Sequence, residues 1–181
     1  MTVKVGNNTI LLSDFAGTPK IVDANGKDIS FTANIIGTKN ADNISTRLAA
    51  TTIDALGGND TAELHGANSS VNAGEGNDYI DNASYYGNGN NNSLNGGKGN
   101  DYILNDSSNV TIQGGSGKDY IENRYNGKDP KNVVIYGGNG DDTLDDTLDD
   151  GAGNDLIRNP RSNVVFTYTE GSGNDTIEGF N

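Results

Sequence analysis

One nine-residue phrase returns through this chain and limits what it can fold into. It reads "AGEGNDYID" at 73–81, "GGKGNDYIL" at 96–104, "GGSGKDYIE" at 114–122 and "GGNGDDTLD" at 137–145. "DGAGNDLIR" at 150–158 and "EGSGNDTIE" at 170–178 follow. Two weaker copies come first, "GTKNADNIS" at 37–45 and "ALGGNDTAE" at 55–63. Numbering each copy 1–9, an aspartate stands at position 6 every time, and the spacings between successive aspartates are 18, 18, 23, 18, 23, 13 and 20 residues. The base period is therefore 18. A period of this length is the mark of stacked units that cannot bury their apolar face alone.

The apolar residues follow the same clock. Position 8 reads Ile44, Ala62, Ile80, Ile103, Ile121, Leu144, Ile157 and Ile177. Two residues before position 1 runs a second series, Ile35, Ile53, Val71, Leu94, Ile112, Ile135, Leu148 and Tyr168. Each unit thus offers two short β-prone triplets, "VTI" and "DYI" for example, with a central residue turned inward. Strands this short form no sheet alone. Stacked in parallel at about 4.8 Å they do, each coil burying its apolar pair against its neighbours. The expected fold is all-β, a right-handed parallel β-roll or β-solenoid with about 18 residues per coil.

Composition sharpens this. Hydrophobic residues are 32% of the 181, and the formal net charge is −13. Such a balance resembles that of disordered chains, because too little apolar surface is buried to offset chain entropy. A large core is not the source of folding free energy here. Glycine at positions 1, 2 and 4 permits backbone conformations closed to other residues and lets a turn aim carbonyls inward. The position-6 aspartates point at the same place. Stacked coils set these carboxylates in a row of like charges that needs a counter-ion. Hard oxygen donors, a flexible turn, excess negative charge, no cysteine and a single histidine favour Ca²⁺ over softer metals.

The same numbers exclude other classes. A pI near 4.2 argues against nucleic acid and anionic membranes. No apolar run approaches the ~20 residues of a membrane span, so no membrane insertion is expected. The start, "MTVKVGNNTILLSDF", lacks the regions of a signal peptide. One His and no Cys build neither a Ser/His/Asp nor a Cys/His set, so the chain is read as no enzyme. "GGSGKD" has Asp119 where a phosphate loop needs Ser or Thr, and "DDTLDDTLDDG" does not fit an EF-hand. His65 reads as an ordinary surface histidine.

These motifs resemble the RTX (repeats-in-toxin), hemolysin-type calcium-binding nonapeptide family, GGxGxDxUx with U a large aliphatic residue. The copies at 96–104, 114–122 and 137–145 match every defined position, while Ala73 replaces the first glycine at 73–81. The resemblance implies a ligand set. Its carboxylates are Asp42, Asp60, Asp78, Asp101, Asp119, Asp142, Asp155 and Asp175. Its backbone carbonyls are those of Gly74 and Gly76; of Gly96, Gly97 and Gly99; of Gly114, Gly115 and Gly117; of Gly137, Gly138 and Gly140; of Gly151 and Gly153; and of Gly171 and Gly173. Several calcium ions would lie in one row on one side of the roll, because the motif recurs every 18 residues and not every nine. Asn40, in place of a glycine, sets the first copy apart. The resemblance further implies a calcium-binding roll of a secreted or surface-exposed bacterial protein that folds on meeting Ca²⁺ outside the cell. The alternatives are an adhesin or glycan-binding module, or an accessory region of an extracellular protease or polysaccharide-modifying enzyme, in either case part of a larger chain.

The rest of each unit reads as scaffold. The opposite turns, "NDSSNV" at 105–110 and "NPRSNV" at 159–164, are rich in Asn and Ser, which suits local side-chain hydrogen bonds; Asp106 is expected to form a turn rather than bind an ion. The two five-residue expansions fall there, at 85–93 and 124–132, and "LDDTLDD" at 144–150 is read as a contraction at the same place. Residues 1–32 lack the motif; "KVGNNTILL" and "KIVDANGKDISF" read as hairpins forming an N-terminal β cap, with 33–181 as the roll and a tapered last coil carrying Phe166 and Tyr168. Tyr79, Tyr102 and Tyr120 share position 7 and should form an outward ladder. Packing is the preferred role for it, and a sugar-stacking strip, extended by Tyr85, Tyr86 and Tyr125, the alternative.

Overall fold

A computed structural model describes residues 33–82, 90–123 and 130–144 with their side chains, and further strands by their backbone. The chain divides into two compact units, Met1–Phe31 and Thr32–Asn181. In the first, strands β1 (Thr2–Val5) and β2 (Asn8–Leu11) pair antiparallel, as do β3 (Ile21–Val22) and β4 (Asp28–Ile29). These are the two segments whose sequence reads as hairpins. Among the described residues no helix is long and apolar enough to cross a membrane.

The second unit is a parallel β-roll of two sheets. One holds β5 (Ala33–Thr38), β7 (Thr51–Leu56), β9 (Ser70–Glu75), β11 (Ser93–Lys98), β13 (Thr111–Ser116), β15 (Val134–Asn139), β17 (Leu156–Arg158) and β19 (Thr176–Glu178). The other holds β6 (Asn43–Thr46), β8 (Thr61–Leu64), β10 (Tyr79–Asn82), β12 (Tyr102–Asn105), β14 (Tyr120–Asn123), β16 (Thr143–Asp146) and β18 (Val165–Thr167). Successive strands of one sheet are one coil apart in the chain. Ile53, Val71, Leu94, Ile112 and Ile135 lie in register in the first sheet, and Ala62, Ile80, Ile103, Ile121 and Leu144 in the second. All ten are buried in one continuous cluster.

The strands leading into the motif are longer than triplets. In β11, for instance, the ladder runs through Gly97↔Gly115 and Lys98↔Ser116, so positions 1–3 of the motif are already sheet and only positions 4–6 turn before the next strand. Glycine serves two purposes here. At positions 2 and 4 it takes a left-handed backbone, Gly115 at φ 115° and Gly117 at φ 135°. A Cβ on Gly117 would also overlap the Gly99 carbonyl oxygen of the coil before it, so the coils stack at this spacing only without a side chain. Position 1 takes no such backbone; its glycine is a matter of space, considered below.

The order of the last strands corrects one expectation. Ile157 pairs with Ile135 and Ile177 with Ile157, in the first sheet, while Phe166 pairs with Leu144 in the second. Ile157 and Ile177 therefore do not continue the position-8 series; Leu148 and Tyr168 lie outside the described residues. Thirteen residues separate Thr143 from Leu156, close to the 14 that separate Tyr79 from Ser93 across an expanded half-coil. The segment read as a contracted coil is an expanded half-coil, which moves the seventh and eighth motifs half a coil out of phase. Their turns, with Gly151, Gly153, Asp155, Gly171, Gly173 and Asp175, lie outside the described residues, as do the tips of the two expansions.

Candidate metal centre

Six position-6 aspartates form an unbroken row. The Asp42 N–H donates to Asp60 Oδ1 (2.8 Å), and the Asp60 N–H to Asp78 Oδ1 (2.7 Å). Asp78 to Asp101 (2.8 Å), Asp101 to Asp119 (2.9 Å) and Asp119 to Asp142 (2.9 Å) continue the chain. One oxygen of each carboxylate from Asp60 to Asp142 is thus held by the backbone of the coil before it. The other is not. Oδ2 of Asp60, Asp78, Asp101, Asp119 and Asp142 is buried with no hydrogen-bond partner in the protein. These five residues are only 1–3% exposed. A buried carboxylate oxygen without a donor is costly to keep ionised.

The acidities follow from this burial. Loss of water raises the Asp101 carboxyl to about 7, against the N–H bond from Asp78 that lowers it, with the Asp119 and Asp78 charges pushing the same way as burial. Asp119 is raised to about 6 by burial first and Asp142 second. Asp60, Asp78 and Asp142 are raised as well, again chiefly by burial. The row is poised to take up positive charge, either protons or a cation.

The unsatisfied oxygens of Asp101, Asp119 and Asp142 lie close against the glycine at position 1. A Cβ on Gly114 would lie 2.5 Å from Asp119 Oδ2 and 2.5 Å from the Gly137 carbonyl oxygen. One on Gly96 would meet Asp101 Oδ2 and, at 2.6 Å, the Gly114 oxygen. These cradles bring a carboxylate and a carbonyl of the next coil together, the hard donor set that suits Ca²⁺. Among the described residues no three acidic, histidine or cysteine side chains converge on one point.

The first copy differs. Asp42 is half-buried, and its Oδ2 accepts from the Thr38 N–H (2.6 Å) and the Thr38 hydroxyl (3.0 Å). Thr38 completes this carboxylate internally. The sequence signal was a hydroxyl residue four positions before Asp42, at a place where most later copies have glycine.

The opposite turn is also polar and buried, yet closed. Asn82 Nδ2 donates to Asn105 Oδ1 (2.7 Å) and Asn105 Nδ2 to Asn123 Oδ1 (2.6 Å). Asn92 Nδ2 donates to Asn82 Oδ1 (2.8 Å) and to the Gly66 carbonyl (3.0 Å). Asp106 is buried in this turn, with Ser107 Oγ 3.5 Å from its Oδ1. Asn68, Asn91, Asn109 and Asn132 take left-handed backbones at φ 56–62°, the conformation asparagine tolerates best after glycine.

Outside the second sheet, Tyr79, Tyr102 and Tyr120 stack with centroids 5.4 and 5.1 Å apart and 13° between planes. The Tyr102 hydroxyl donates to Glu122, which raises the pKa of the phenol above its ordinary value. Neighbouring rings occupy each other's faces, and a sugar needs an open one, so this geometry favours packing over glycan stacking. His65 Nε2 lies 3.8 Å from Glu63 Oε2, away from the aspartate row.

Comparison with known proteins agrees with the geometry. The RTX calcium-binding nonapeptide repeat, in four copies, matches residues 54–84 and 106–123. No curated protein and no solved structure matches the chain. Repeats of this family bind calcium, are generally structural rather than catalytic, and are typical of secreted bacterial proteins. The segments that match the RTX calcium-binding nonapeptide repeat lie within the parallel roll of this chain.

Proposed function

We propose that residues 33–181 are a non-catalytic, calcium-triggered folding module of an extracellular or surface-exposed protein. The observation that carries this reading is the line of five buried carboxylate oxygens without a donor. The residues present fit calcium: a carboxylate and a next-coil carbonyl border the spaces beside Gly96 and Gly114. Bound there, calcium would supply positive charge to the row, with Asp101, Asp119 and Asp142 and the motif carbonyls as its holders. The protein's own contribution is the frame. Strand register sets the carboxylates one coil apart, and the N–H of each aspartate fixes the Oδ1 of the next.

Without the ion, the row favours a loose chain at neutral pH, since unfolding returns the carboxylates to water. Extracellular-type sites bind at about 10⁻⁴–10⁻³ M, so scarce calcium inside a cell leaves them empty and millimolar calcium outside fills them. A site at ten times its dissociation constant adds roughly 1.4 kcal/mol, and a few such sites rival the stability of a small domain. Far-ultraviolet circular dichroism during a calcium titration tests this. β structure is expected to appear cooperatively and to vanish with EGTA; a spectrum indifferent to EGTA contradicts it.

A further inference from the structure

The six in-phase turns are not equivalent, and the difference lies at position 1. In the later coils this residue is Gly96, Gly114 or Gly137. A Cβ there would press on the unsatisfied Oδ2 of the same motif, at 2.5 Å for Gly114 and 2.7 Å for Gly137. In the second and third coils the residue is Ala55 or Ala73. Both alanines are buried and belong to the apolar cluster, so their methyl groups point inward. Register places Ala73 beside Gly96, because Gly74 pairs with Gly97. The methyl group therefore stands where the later coils bring the carboxylate Oδ2 and, at Gly96 and Gly114, the next-coil carbonyl oxygen against the glycine. Yet Asp60 and Asp78 still carry a buried Oδ2 without a donor. In the first coil Gly37 likewise has Asp42 Oδ2 and the Ala55 carbonyl oxygen against it, but Thr38 has already satisfied Asp42 Oδ2.

Resting on the calcium reading above, we propose that Ala55 and Ala73 divide the row into two affinity classes. The cradles at Gly96 and Gly114 bind calcium tightly, those at Ala55 and Ala73 bind it weakly, and the turn of Asp42 binds none. Loading then starts in the middle of the roll and spreads to its early coils last. The two alanines set a sequence of filling along a repeat whose motif otherwise looks uniform. Position 1 has an ordinary backbone, so Ala and Gly differ there not in backbone angle but in whether a methyl group crowds the carboxylate and the carbonyl beside it.

Isothermal titration of the full chain with CaCl₂ tests this, with circular dichroism reporting the fold of each variant. The wild-type chain is expected to show two classes of site. The double variant Ala55→Gly/Ala73→Gly should tighten the weak class roughly tenfold, the scale of one methyl group in a binding pocket, and leave the tight class in place. Gly114→Ala should weaken the tight class by a similar factor. Should Gly114→Ala fail to fold in high calcium, the Ala→Gly pair still decides. Unchanged affinities in the Ala→Gly pair, in a wild-type chain that does bind calcium, would overturn the division into classes. Absence of any calcium binding by the wild-type chain would instead overturn the calcium reading, and this inference with it.

Discussion

Each coil of the roll has two polar turns, and both bury their side chains. The asparagine turn closes on itself. An amide carries donors and an acceptor, so Asn82, Asn105 and Asn123 hand hydrogen bonds along the stack. The aspartate turn cannot do this. A carboxylate only accepts; the backbone N–H of one coil satisfies Oδ1 of the next, and Oδ2 is left over in five successive coils. Two chemically similar side chains, stacked in the same way, give one ladder that is complete and one that asks for a cation. On the calcium reading proposed above, the need for the ion is a matter of donor counting.

The largest effect expected is from the frame that both turns share. Gly117→Ala would drive a methyl group into the Gly99 carbonyl at a backbone angle of φ 135°. It should cost about 4 kcal/mol or more and abolish the folded spectrum at moderate calcium. A calcium midpoint within twofold of wild type would contradict the close stacking described above.

Next comes the closed ladder. Asn105→Ala strips the Asn82 amide of an acceptor and Asn123 of a donor. We expect a loss of roughly 2–4 kcal/mol in denaturant titrations run in saturating calcium, with the number of ions bound unchanged. A change in ion count would mean that the two turns are not independent.

Asp119→Asn makes the open ladder resemble the closed one. The amide oxygen can still accept from the Asp101 N–H, while the charge is removed. The calcium midpoint should rise several-fold, and by more than in Asp42→Asn, whose carboxylate Thr38 already completes. Without calcium the Asp119→Asn chain should be no less stable than wild type. Equal calcium midpoints for the two variants would remove the distinction between the first coil and the central ones.

The smallest effect is that of acidity. In the calcium-free folded state Asp101 and Asp119 hold their protons up to about pH 7 and 6, against 3.8 as the ordinary value. Between these limits the folded state binds more protons than the unfolded one, so stability falls as pH rises. In EGTA, β structure should be greatest near pH 4 and fade through pH 6–7. With calcium present, protons compete, and lowering the pH from 7.5 to 6 should raise the calcium midpoint. A flat EGTA profile across this range would show that the carboxylates are not buried together.

Much of this was legible in the primary structure, for physical reasons. The inward pair of each coil could be read because strands alternate and the period is regular: Ile80, Ile103 and Ile121 are spaced like their aspartates, and all three are buried. The aspartate row followed from the same register. The alternation was not carried one step further, to Asn82, Asn105 and Asn123, which also face inward, because asparagine in a turn ordinarily reads as solvated. Thr38 was hidden by the weak form of its motif. The phase of the last two motifs is not legible from spacing, because spacing alone does not distinguish a short coil from a long half-coil. Strand pairing decides that, through Ile157 beside Ile135.

The most direct test of the central claim is a crystal structure of the chain grown in millimolar calcium, with anomalous scattering to identify the ions. Calcium is expected within bonding distance of Oδ2 of Asp101 and of Asp119, on the side of the roll that carries glycine, with none beside Asp42 or along the Asn82–Asn105–Asn123 ladder. An ordered roll with those two carboxylate oxygens still unbound by metal, or with metal along the asparagine ladder, would contradict the account.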